Sequence, residues 1–311
     1  NPYGYKDPYS VQLSAGYQYQ ATNTLTLGVD LIYSRSHDLV RLRDLNAAAP
    51  FSPNLANLTA TNIALLRAQP DAAARLALAE SLGLVRSQAA ADATRPVALV
   101  PGGATDISIS DTSGQSIYRA MVIQINKARG NDIYAFRLAY TLSKLTNNTD
   151  DLNFLASADG ADWGPSVNDR RHVISAVGYL YPLRGLTVSL AGLFQSGQPV
   201  NLVPDAAIFG TQDLAGIGQS FGVNYVGNSN RYPGASRNSA RLPWSSTIDL
   251  GVRYALPTPG GRLEVSADVF NLFNTNNWSG YANAATTSNQ VQFGGEPYVQ
   301  RNAGPPRQFQ F

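Results

Sequence analysis

The sequence predicts an all-β fold, an antiparallel transmembrane β-barrel segment of about nine strands whose long loops lie on one edge, one of them containing a helix. Strand-like stretches alternate apolar and polar residues with a period of two, so each has one apolar and one polar face. Their connections alternate short and long. The short ones are Ala21-Thr22-Asn23, Gly130-Asn131, Pro182-Leu183-Arg184-Gly185 and Pro257-Thr258-Pro259-Gly260. The long ones run from about Asn46 to Gly114, Asn147 to Asp169, Asn201 to Ser245 and Trp278 to Pro305. A soluble β-sandwich, the alternative fold, has no reason to keep tight turns on one edge. A membrane barrel does, with short periplasmic turns and longer extracellular loops.

The first strand, Ser10 to Gln20, sets Val11, Leu13, Ala15, Tyr17 and Tyr19 against serines, glutamines and Gly16. The second sets Leu25, Leu27, Val29, Leu31 and Tyr33 against Thr24, Thr26, Gly28 and Asp30. Roughly ten alternating residues is the length a tilted strand needs to cross a bilayer. The first long loop holds the one convincing helix signal, Ala- and Leu-rich from Asp71 to Val85, with Pro70 suited to a first turn.

Ile117 to Lys127 places Met121, Ile123 and Ile125 opposite Gln124 and Asn126. Gly130-Asn131 supplies a two-residue turn with a glycine for positive φ. Tyr134, Phe136, Leu138, Tyr140 and Leu142 then oppose Arg137, Thr141 and Ser143. Val173 to Tyr181 is apolar on both faces and its orientation stays open. Leu186, Val188, Leu190 and Phe194 form the next apolar face, and Ile248 to Leu256 and Leu263 to Val269 two more. Phe309 and Phe311 alternate with Gln308 and Gln310 at the end. Tyr19, Tyr134, Tyr179, Tyr181 and Tyr254 gather beside the short joints, as an interfacial aromatic girdle does.

Composition agrees. Charged residues make up 14% of the 311, against about 25% in soluble domains. The net charge of +2 and the lack of a basic run give no footprint for nucleic acid. Without cysteine there is no disulfide framework and no thiolate metal site. No stretch approaches the roughly 18 apolar residues of a helical span. The mean hydropathy of −0.16 does not exclude a barrel, because lumenal residues dilute the apolar ones.

Enzymatic signatures are missing: no HExxH, no nucleophile elbow, no phosphate-cradling glycine loop. The protein is expected not to be an enzyme and to need no cofactor or metal. His172, after Asp169-Arg170-Arg171, reads as part of an ion-pair cluster at a strand entrance. Asp150-Asp151, or Asp159 with Asp162, read as solvated loop acids, with a loop cation site as the alternative.

Asp7-Pro8-Tyr9-Ser10, Asn168-Asp169-Arg170-Arg171-His172, Gln195-Ser196-Gly197-Gln198-Pro199, Phe270-Asn271-Leu272-Phe273-Asn274 and Gly304-Pro305-Pro306-Arg307-Gln308-Phe309-Gln310-Phe311 occur in that order across nearly the whole chain. Together they resemble the C-terminal barrel of TonB-dependent outer-membrane receptors, in the Oar-like branch that carries a carboxypeptidase-regulatory-like domain. The resemblance implies a plugged barrel of about 22 strands in the bacterial outer membrane. It also implies a bound ligand whose uptake TonB drives through N-terminal regions. On this reading residues 1–311 are the C-terminal part of the barrel, with plug and earlier strands absent, and the partners are outer-membrane lipid, the TonB system and an unidentified ligand. Nine strands starting from outside, where a complete barrel has an even number, and a short last strand lead to the same expectation of a fragment with open edges.

Ligand contact is expected from Trp163, Trp244 and Trp278 in the long loops and from lumenal Arg137. If Tyr254 pairs with Leu263, Arg253 faces Glu264 as a structural lumenal ion pair. The competing functions are a passive porin or adhesin-type barrel, and an outer-membrane protease or phospholipase.

Overall fold

The computed structural model describes residues 4–98, 107–150, 155–156, 163–217, 232, 235–259, 261–277, 290–292 and 305–311. Its main strands are β1 (Tyr9–Thr22), β2 (Leu25–Asp44), β3 (Ser108–Lys127) and β4 (Tyr134–Asn147). Two short strands come next, β5 (Leu155–Ala156) and β6 (Gly164–Pro165), and then β7 (His172–Leu180) and β8 (Leu186–Gln195). The chain continues through β9 (Pro199–Val203), β10 (Ala240–Arg241), β11 (Ser245–Thr258), β12 (Gly261–Phe270), β13 (Gln290–Gln292) and β14 (Gln308–Gln310). One antiparallel path runs β1-β2-β3-β4-β7-β8-β11-β12-β14. It holds the nine strands expected, and among the described residues β1 and β14 are its open ends. β9, β10 and β13 form a small separate sheet.

The registers are mutually consistent and resolve both faces of every long strand. Leu13, Tyr33, Arg119 and Lys144 lie in one row, as do Leu138, Ala176, Gly192 and Ile248 in another. Rows of this parity form one continuous apolar face, the outward one. Many of its members, among them Leu13, Tyr17, Leu31, Leu190 and Val265, are exposed, as residues that contact lipid rather than a protein core must be. The opposite rows carry Gln12, Asp30, Gln124, Thr141, Ser189 and Asp268 and form the polar, lumenal face.

The same registers orient β7, whose sequence left its faces open. Ile174, Ala176, Gly178 and Leu180 face outward, and Val173, Ser175, Val177 and Tyr179 face the lumen. Tyr179 is therefore not part of an outward girdle, because it stands opposite Ala135 and Ser189 on the polar face. Tyr181 lies in the adjoining turn with the Arg129 guanidinium over its ring at 4.1 Å. Tyr19, Tyr134 and Tyr254 do stand on the outward face beside short turns. A turn is present at Gly130-Asn131, where the Asp132 amide donates to the Arg129 carbonyl at 2.9 Å and Gly130 has φ of 52°, but the connection is longer than the two residues expected, since β3 ends at Lys127 and β4 begins at Tyr134.

Arg253 and Glu264 share the lumenal face, but the expected register is wrong by two residues. Tyr254 stands opposite Val265, not Leu263, and Arg253 opposite Ser266. The cause is that pairing continues through Pro257 to Thr258, opposite Gly261, where the sequence suggested an early turn. Arg253 instead reaches diagonally to Asp268 at 3.6 Å.

Beyond the membrane, β2 and β3 continue as a projecting hairpin, each 20 residues long. The loop between them holds α1 (Ala60–Arg67), α2 (Ala72–Ser81) and α3 (Gln88–Asp92), where the sequence indicated one helix. Asp71, Thr59 and Ser87 cap them by accepting from the amides of Ala74, Asn62 and Ala90. α2 stops at Ser81 instead of reaching Val85, and Gly83 takes a left-handed φ of 66° just beyond. A fourth helix, α4 (Ala206–Phe209), comes from the third long loop. Leu66, Ala79, Leu84 and Val85 from the first loop pack on Ile208, Phe209 and Leu214 from the third. The loops thus share a hydrophobic core of their own above the sheet.

Candidate functional site

The extracellular rim concentrates the polar chemistry. Asp150, at the end of β4, accepts from Arg237 Nη1 at 2.6 Å, Asn147 Nδ2 at 2.7 Å, Ser166 Oγ at 2.8 Å and Asn238 Nδ2 at 3.2 Å. The Arg237 guanidinium also donates to the Asn147 carbonyl and side chain and to the Gly164 carbonyl. Arg237 is only 1% exposed, so its charge is held by this cage rather than by water. Asp150 is thus the anion of a buried pair, and not the solvated loop acid expected. Asp151, Asp159 and Asp162 lie outside the described residues. Among the described residues no cluster of His, Asp and Glu is arranged to hold a metal ion.

A second pair sits one strand further on. Asp169 is fully buried, accepts from the Leu145 amide at 2.7 Å and pairs with Arg241. Arg241 also donates to the Asp169 and Gly197 carbonyls. Arg170 donates to the Ser196 carbonyl at 3.0 Å, and burial, together with the neighbouring Arg241 charge, pulls its pKa below the usual arginine range. Gly197 is required by closeness: a Cβ there would meet the Leu242 carbonyl oxygen at 1.5 Å.

The next recurrent turn is built on asparagine. Asn271 and Asn274 adopt left-handed φ of 50° and 52°, which asparagine tolerates better than most residues. Asn271 accepts from the Thr275 amide and donates to the Pro305 carbonyl, while Asn274 accepts from the Arg307 amide. The motifs around Asp169, Gly197 and Asn271 are therefore joints that fasten strand ends to loops at the rim.

The three expected ligand contacts that lie within the described residues do not converge. Trp163 is half-exposed in the second long loop beside Gly164, which pairs with Asn147 at the outer end of β4. Trp244 stands on the outward face, in a stack with His172 and Tyr140 at ring separations of 5.7 and 6.1 Å. His172 Nδ1 lies 2.9 Å from the Tyr140 hydroxyl, so this histidine belongs to an aromatic cluster and not to the adjacent ion pairs. Arg137 is lumenal but near the periplasmic end, opposite Asn126, whose Oδ1 accepts from its Nε at 2.9 Å. About ten residues of strand, or roughly 33 Å, separate it from the rim. Trp278 lies outside the described residues. The residues that build the rim, Arg237, Asn147, Asn238 and Asp169, carried no periodic or motif signal beyond Asp169 itself.

Two hollows of about 360 and 400 Å³ lie on the outward face over Ala176, Gly178 and Gly192, where small residues interrupt the apolar wall. They face lipid, not the lumen.

A one-sided apolar sheet, short turns at one end and a polar, loop-built tier at the other define an outer-membrane β-barrel. The chain belongs to the outer membrane beta barrel domain family, whose model matches residues 1–310, and its place is the bacterial outer membrane. Among solved structures, the outer membrane transporter YddB from Escherichia coli is similar with a TM-score of 0.53 at 13% identity, over 98% of this chain and 32% of that one. The ferric-catecholate import receptor Fiu from E. coli K12 gives a TM-score of 0.47 at 12% identity, over 98% and 27%. FpvA of Pseudomonas aeruginosa, bound to pyoverdine and iron, gives 0.47 at 11%, over 96% and 26%. At these identities the likeness concerns the fold alone, and the chain spans a third or less of the length of these structures. No curated protein matches the sequence.

Proposed function

We propose that the chain is the C-terminal part of the barrel of a TonB-dependent receptor of the Oar-like branch, and that it takes up a ligand caught at its extracellular loops. The observation that carries this reading is the ordered outer tier. Loops joined by the Arg237–Asp150 cage and by a shared hydrophobic core are a preorganised surface, which a passive pore does not need. The fold likeness to YddB, an outer membrane transporter, supports the same reading. The protein performs no covalent chemistry on its ligand. Plug and TonB-contacting segments are supplied by other regions of the protein.

The test uses the complete gene in its native bacterium. Growth or uptake that depends on the gene should disappear when TonB is deleted. Gene-dependent uptake that survives that deletion overturns the reading in favour of a passive porin, and surface adhesion without uptake favours an adhesin.

A further inference from the structure

The outward face carries basic residues at both ends, and the two ends differ. At the periplasmic end Lys127 is paired with Asp132 and lies 5.1 Å from the Tyr134 ring. At the outer end Arg119 and Lys144 stand directly opposite each other on β3 and β4, and Arg35 lies one outward position beyond Tyr33, which shares their row. Arg119 and Lys144 are exposed. Among the described residues, Arg119 has no hydrogen bond or ion pair and only the Tyr33 ring, 5.9 Å away, beside it, while Lys144 has no partner. Arg35 reaches only the neutral Gln115 side chain, at 3.4 Å.

Height locates this row. Eight residues separate Lys127 from Arg119 along β3, with Met121, Ile123 and Ile125 as the outward residues between. At about 3.3 Å per residue and a tilt near 40°, that places Arg119 about 20 Å above Lys127, at the outer boundary of an apolar band about 25 Å tall. A cation facing lipid is tolerated at such a boundary and not in the band itself.

We propose that Arg119 and Lys144, flanked by Arg35, bind the phosphate groups of a phosphorylated saccharolipid of the outer leaflet. Charge complementarity selects this occupant. Three cations without a protein carboxylate partner lie at the depth where an outer-leaflet headgroup sits, and guanidinium and ammonium groups are strong phosphate donors. An acyl chain of such a lipid can descend over the apolar surface below, where Leu138, Ala176 and Gly192 leave a hollow. The inference depends on the outward face alone and stands whether or not the barrel is coupled to TonB.

The experiment is native mass spectrometry of the full-length protein extracted from its own outer membrane in mild nonionic detergent. Wild type should retain a bisphosphorylated saccharolipid. The double variant Arg119→Gln/Lys144→Gln should lose about tenfold of that adduct, as expected for about 1.4 kcal/mol of lost binding. Lys127→Gln, at the opposite end of the same face, and the charge-preserving Arg119→Lys/Lys144→Arg should both retain it and report that folding is intact. Re-addition of the same lipid with its phosphates enzymatically removed should restore no adduct to delipidated wild type. Equal retention by the double glutamine variant, or equal binding of the dephosphorylated lipid, overturns the proposal.

Discussion

Arg237 and Asp150 form a buried ion pair at 2.6 Å across 87 residues of sequence, joining the end of β4 to the loop that precedes β10. The guanidinium is 1% exposed as a side chain and the carboxylate 12%, so neither is solvated on its own. The pair ties the second long loop to the third, and the cost of breaking it depends on which partner is removed.

Arg237→Ala leaves the Asp150 carboxylate among donors that were set to share it with a cation. The expected cost to the rim is about 3 to 5 kcal/mol, the range for removing one member of a buried pair. Hydrogen exchange of the Leu145 to Thr149 and Gly164 to Val167 amides should accelerate sharply while the β1–β2 hairpin stays protected. Unchanged exchange at those amides counts against a structural role for the cage.

Gly197→Ala forces a methyl group into the Leu242 carbonyl oxygen, so Leu242 must withdraw and release its amide from the Gln198 carbonyl. A loss of about 1 to 3 kcal/mol is expected, as for overpacking elsewhere. Limited proteolysis should cut near Leu242 in the variant and not in wild type.

The shared loop core predicts a separable failure. Phe209→Ala should destabilise the outer tier by about 3 to 5 kcal/mol, because Phe209 is fully buried against residues from another loop. Among the described residues no membrane strand contributes a side chain to this core, so heat-modifiable migration of the folded barrel on a gel should persist. Loss of that migration would show that tier and barrel fold as one unit.

Arg253 tests the register directly. A double-mutant cycle should give Arg253 a coupling with Asp268 below about 1 kcal/mol, since the arginine is half-exposed, and essentially none with Glu264. A larger coupling to Glu264 is the outcome that would restore the shorter pairing.

Trp244 should sit against lipid. With Trp163 and Trp278 replaced by Phe, its fluorescence should be quenched by brominated phospholipids in reconstituted vesicles. Quenching only by an aqueous quencher would place it in the loop layer after all.

What could be read from the residues was what repeats locally. Alternation along β1, β2 and β11 identified both faces because each apolar side chain has polar neighbours. β7 resisted because Ile174 and Val177 are equally apolar on opposite faces, and its partners, not its own sequence, decide its orientation. The β11–β12 register was misjudged at Pro257, which looks like a turn and instead remains paired with Arg262. The Ala- and Leu-rich run from Asp71 announced α2, but Pro70 precedes the Asp71 cap instead of sitting in the first turn, and the cap residues Thr59 and Ser87 were there to be read for α1 and α3. The Arg237 cage left no trace in the sequence, because its members come from segments with no shared pattern. Trp163, Trp244 and Arg137 were chosen by residue type alone, and type does not report which side of a sheet or which end of a strand a residue occupies.

The shared core of the outer tier constrains the order of events during biogenesis. Arg86 in the first loop donates through Nε to the Ala215 carbonyl in the third, 129 residues later, and the apolar groups around that bond come from both loops. Neither loop can complete its packing before the other has reached the cell surface. Closure of this tier is therefore a late event, a record that four intervening membrane strands have already been threaded and zipped.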